Sequence, residues 1–122
     1  MRRSLLSAAL AIAACGHAPT ATRRHFAITP GTFAEANLTM RAGAIVTADF
    51  AASAPLRWNV HSHAGGETII HAKGEGASGA IRFTAPKGGV FSYLWEAPKD
   101  ARAPIDLDVT LRGDASVKSW HP

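Results

Sequence analysis

The chain holds one cysteine, one tyrosine and two methionines in 122 residues, and its one extended apolar run covers only Leu5 to Ala14. A single thiol excludes an intramolecular disulfide and any cage built from several cysteines. A ten-residue run is too short to cross a bilayer, which takes about 20 apolar residues. Charge of one sign is scarce as well. The sequence has 13 Lys and Arg against 9 Asp and Glu, and removal of Arg2 and Arg3 with a cleaved leader leaves 11 against 9. So small and evenly spread a surplus is no nucleic-acid footprint, and no nucleic-acid partner is expected. The sequence contains neither a Gly-x-Ser-x-Gly elbow nor a phosphate-binding loop, and an enzyme is not expected.

What is present begins with Met1-Arg2-Arg3-Ser4, then the run Leu5 to Ala14, then Cys15. A charged start, a short apolar middle and small residues at the end form an export signal. Ile12-Ala13-Ala14-Cys15 resembles the lipobox of bacterial lipoproteins. That resemblance implies cleavage before Cys15 and a thiol carrying a diacylglyceryl group, with fatty acids such as palmitate holding the protein to a membrane. Gly16, where enterobacterial lipoproteins retained in the inner membrane carry aspartate, implies by the same likeness the periplasmic face of the outer membrane. The alternative is an ordinary secretory signal cut after Ala14 or a few residues later, which leaves a free thiol at Cys15.

Three segments follow: a lipoprotein signal at residues 1–14, a lipidated cysteine with a flexible tether at residues 15–32, and one folded domain at residues 33–122. The tether is expected because residues 16–32 carry Gly16, Pro19, Pro30 and Gly31 without strand or helix periodicity. Arg23-Arg24-His25 is its only basic cluster, placed to meet anionic headgroups or simply to stay solvated. Beyond residue 32, short alternating runs punctuated by Gly and Pro predict an all-β antiparallel sandwich of seven or eight strands. Helical spacing is not sustained there. The cleanest alternation sets Ile105, Leu107, Val109 and Leu111 against Asp106, Asp108, Thr110 and Arg112. Val90 to Trp95 is apolar on both faces, as a central strand is. Breaks are expected at Ala42-Gly43, Ala54-Pro55, Gly65-Gly66, Gly74 to Gly79, Pro86 to Gly89 and Pro98 to Pro104.

The strings Trp58-Asn59-Val60-His61-Ser62-His63-Ala64-Gly65-Gly66, Phe83-Thr84-Ala85-Pro86, Phe91-Ser92-Tyr93-Leu94-Trp95-Glu96 and Ser119-Trp120-His121-Pro122 resemble a group of small uncharacterised bacterial lipoproteins. More distantly, their order over residues 43 to 112 resembles the GOLD domain of emp24/p24 cargo proteins, with Glu96 where that pattern has asparagine. The resemblance implies a jelly-roll or GOLD-like sandwich with a binding or structural role and no catalytic residues.

Histidine is the one concentrated chemistry. His61, His63 and His71 fall in one expected hairpin, with Asn59 and Glu67 beside them. If Glu67 pairs with His63 around a three-residue turn, the odd-numbered residues share a face, and three imidazoles converge on a copper or zinc ion. His121 is a further candidate ligand. A slip of one residue sends His71 to the other face, and the same histidines also fit a solvated strand surface. Trp120 is either a ligand-contacting aromatic or part of the closing strand. The leading expectation is a membrane-anchored, periplasm-facing binding or envelope-associated module; the alternative is a histidine-based metal-binding protein.

Overall fold

The structure is a computed structural model that describes residues 21–122. Cys15, the signal at residues 1–14 and His17 lie outside the described residues. The chain is all-β, with seven antiparallel strands: β1 (Ala21–Ile28), β2 (Phe33–Met40), β3 (Ile45–Ala64), β4 (Glu67–Thr84), β5 (Gly89–Glu96), β6 (Ile105–Gly113) and β7 (Ala115–His121). The alternation of β6 holds residue by residue, with Ile105, Leu107, Val109 and Leu111 buried and Asp106 and Asp108 exposed. β5 is central, flanked by β2 and β3.

Two expected breaks are not chain breaks. β3 runs through Ala54-Pro55 and β4 through Gly74 to Gly79, making a 20-residue strand and an 18-residue strand. The pairing slips there, from Ala51 opposite Ser78 to Leu56 opposite Gly76. Proline has no N–H for a ladder and glycine tolerates a bend, so these residues mark a bulged corner within one long hairpin.

That corner lets one curled sheet form a sandwich. The first half of β3 pairs with β6 through Val46 to Ala52. Its second half pairs with β5 through Arg57 to His61. β1 extends the first layer beyond β6, while β2 and β7 extend the second beyond β5. Between the layers lies a core that includes Phe26, Ile28, Phe50, Leu107 and Val109 from one side and Leu38, Met40, Phe91, Tyr93 and Trp95 from the other. Contacts cross it directly. The Tyr93 hydroxyl donates to the Val46 carbonyl at 2.9 Å, and the rings of Phe50 and Trp95 lie 6.0 Å apart. Removal from water pushes the Tyr93 phenol well above its ordinary value, so it stays a donor.

The expected tether is corrected here. Residues 21–28 form β1, paired along its full length with β6 from Ala21–Arg112 to Ile28–Ile105. The folded domain therefore includes residues 21–32, ahead of the expected boundary at residue 33. Phe26 and Ile28 supply the buried side of this strand, and Arg24 lies over the rings of Phe26 and Trp120 at 5.8 and 5.6 Å. Three consecutive polar residues, Arg23, Arg24 and His25, hide the alternation in sequence. His25 instead bonds through Nδ1 to Asp108 at 2.8 Å and lies 3.5 Å from Asp106 through Nε2.

Candidate functional site

The β3–β4 hairpin closes on two residues. Ala64 pairs with Glu67, and Gly65 and Gly66 take φ of +60° and +83°. Positive φ at both central positions is the type I′ requirement that glycine meets without steric cost. Near the turn, His61 is opposite Ile70 and His63 opposite Thr68; a bulge then shifts the register, so Val60 faces Ala72. Paired numbers near the turn thus have an odd sum, and even-numbered residues of β4 share the outer face with His61 and His63.

The expected trio is divided as a result. His71 leaves by the opposite face, where its Nε2 lies 2.7 Å from the Ser62 hydroxyl and its ring packs 5.3 Å from Phe83 and 5.5 Å from Phe91. His61 and His63 do share a face, with ring centroids 5.1 Å apart. Among the described residues no group of three or more His, Cys, Asp or Glu side chains is arranged to hold a metal ion. Glu67 faces Ala64 at the hairpin end and is exposed.

On the outer face His61 has different company. Its Nδ1 is 2.8 Å from Asn59 Oδ1 and its Nε2 is 3.3 Å from Glu35 Oε2, on β2. The His61 and Glu35 side chains are only 7% and 17% exposed. Burial is the largest influence on His61 and pushes its pKa down; Glu35 opposes this, while His63 and His71 reinforce it. Burial therefore favours the neutral form of the ring.

The same face continues across the sheet as a polar row. Ser92 donates to Asn37 Oδ1, and Asn37 Nδ2 donates to Ser119 Oγ at 3.1 Å. His121 stands opposite Glu35 on β7 and stacks on Phe33 at 4.8 Å. Toward β4 the face opens into a groove of about 500 Å³ lined by Arg57, Asn59, Ile70, Lys73, Glu75 and Glu96, among others. Arg57 is bonded to Glu96 across it at 3.0 Å. Ile70, 48% exposed, gives the groove an apolar element.

Trp120 is partly buried, 5.7 Å from Phe26, and serves the packing of β7 over β1. Asp106 and Asp108 face His25, and Asp114 pairs with Arg41 at 2.7 Å.

Sequence reasoning missed Glu35, Asn37 and Ser92. The alternation of Ala34, Ala36, Leu38 and Met40 against Glu35, Asn37 and Thr39 places Glu35 on an outer face. Nothing local says that β2 lies one strand removed from β3. No protein-family model matches the chain, and no curated protein matches it.

Proposed function

We propose that this protein is a lipid-anchored module of the bacterial envelope, facing the periplasm, which binds its ligand on the outer face of β4, β3, β5, β2 and β7. The observation that carries the reading is Cys15 at the end of the run Leu5 to Ala14, in a chain with no other thiol. β1 of the folded domain already includes Ala21. Residues 16–20 span at most about 18 Å when fully extended, so an acylated Cys15 keeps the domain against the headgroups. Several acyl chains contribute about 0.8 kcal/mol per buried CH₂, enough for stable attachment without a transmembrane helix. A face that mixes a groove, paired charges and buried hydrogen-bonding side chains suits binding.

The test is fractionation of bacterial cells expressing the chain. The parent protein is expected in the membrane fraction and released by detergent, whereas Cys15→Ser is expected in the soluble fraction. Equal membrane retention of both refutes the anchor.

A second reading, imidazole binding of copper or zinc, is favoured by one observation: the His61 ring nitrogen and the Glu35 carboxylate face each other at 3.3 Å.

A further inference from the structure

We infer that Glu35 and His61 form the preset half of a site for a divalent transition-metal ion, with Asn59 fixing the tautomer and His63 as the nearest additional ligand. This rests on the second reading above and replaces its ligand set, since His71 lies on the other face of the strand.

The hydrogen-bond inventory of His61 leads there. Asn59 Oδ1 lies 2.8 Å from Nδ1, and because a carbonyl oxygen can only accept, this contact is a hydrogen bond in the tautomer that carries its proton on Nδ1. A neutral imidazole has only one N–H, so Nε2 then carries its lone pair. That lone pair faces Glu35 Oε2 at 3.3 Å, an acceptor opposite an acceptor in a partly desolvated setting. A cation between them satisfies both. The distance agrees: it exceeds the 2.7–3.2 Å typical of a hydrogen bond to nitrogen. Bonds of about 2.0–2.1 Å to imidazole nitrogen and about 2.0–2.2 Å to carboxylate oxygen, at a tetrahedral angle, separate the two donor atoms by about 3.4 Å. Oxygen acceptors behind a ligating histidine commonly set its tautomer, the place Asn59 occupies.

Two ligands leave the ion incomplete. His63, exposed and edge-on to His61 at 5.1 Å, is one pleat away on the same face. His121, opposite Glu35, is the next nearest along β7. Both side chains are exposed, and water can supply positions that protein ligands leave open.

The probe is Zn(II), titrated against the full chain carrying Cys15→Ser so that no thiol competes. One equivalent is expected to bind. Glu35→Gln and His61→Gln are each expected to weaken binding at least tenfold, and His71→Gln to change it less than twofold. Nitrogen-15 spectra of the histidine rings add a readout independent of affinity: His61 is expected to show the Nδ1–H tautomer, with Zn(II) shifting Nε2. If Zn(II) binds but Glu35→Gln leaves affinity unchanged, or only His71→Gln weakens it, this ligand set is overturned while metal binding stands. No binding by the parent overturns both. Should His61→Gln fail to fold, Glu35→Gln and the spectra still decide.

Discussion

Gly74 lies where the indole of Trp58 needs its space. A Cβ at that position would be 2.4 Å from Trp58 Cζ2 and 2.6 Å from Cε2. Trp58 and Gly74 are cross-strand partners in the hairpin that carries His61, so the glycine lets the ring lie flat across β4. Gly74→Ala must displace the indole, and overpacking of this kind costs about 1–3 kcal/mol. Chemical denaturation followed by tryptophan fluorescence is expected to show that loss together with a changed native emission; an unchanged midpoint contradicts the packing described. The histidines show what is legible at this scale. Spacing alone places His61 and His63 on one face, because strand period is two. The position of His71 depends on turn length and on the bulge beside Val60, and Gly65-Gly66 fits a two-residue or a three-residue turn in sequence alike. Long-range partners such as Glu35 are invisible to local pattern.

Among the elements, β6 is readable because its alternation is uninterrupted, and β5 because apolar residues dominate both its faces around Ser92. β1 is not, since Arg24, in step with the buried Phe26 and Ile28, is an exposed cation lying over the rings of Phe26 and Trp120. Its outer side is fastened by His25, whose pKa is raised above the ordinary 6.5 chiefly by the hydrogen bond to Asp108, with further help from Asp106. A group held above its unfolded value stabilises the fold most below that value. The contribution of this clasp is therefore complete at pH 5 to 6, with both carboxylates ionised, and fades as pH rises through the folded-state value. Exposure keeps it small. His25→Gln is expected to lower the denaturation midpoint more at pH 5.5 than at pH 8.5, and the reverse order contradicts the clasp. The long strands β3 and β4 are the other element that pattern divides wrongly, since Pro55 and Gly74 to Gly79 bend and bulge the hairpin without ending it.

For the whole molecule, the sandwich class follows from strand number and patterning, whereas the strand order β1-β6-β3-β5-β2-β7 does not. That order is what brings Glu35 to His61 and assembles the polar face. The same order pairs β1 with β6 from Ala21 onward, so residues 21–28 belong to the folded domain. The proposed membrane anchor depends on Cys15. The most direct measurement is the intact mass of the protein extracted from bacterial membranes with detergent. The predicted mass is that of residues 15–122 carrying a diacylglyceryl group and its fatty acids, whereas a mass showing an unmodified Cys15, or cleavage beyond it, contradicts the anchor.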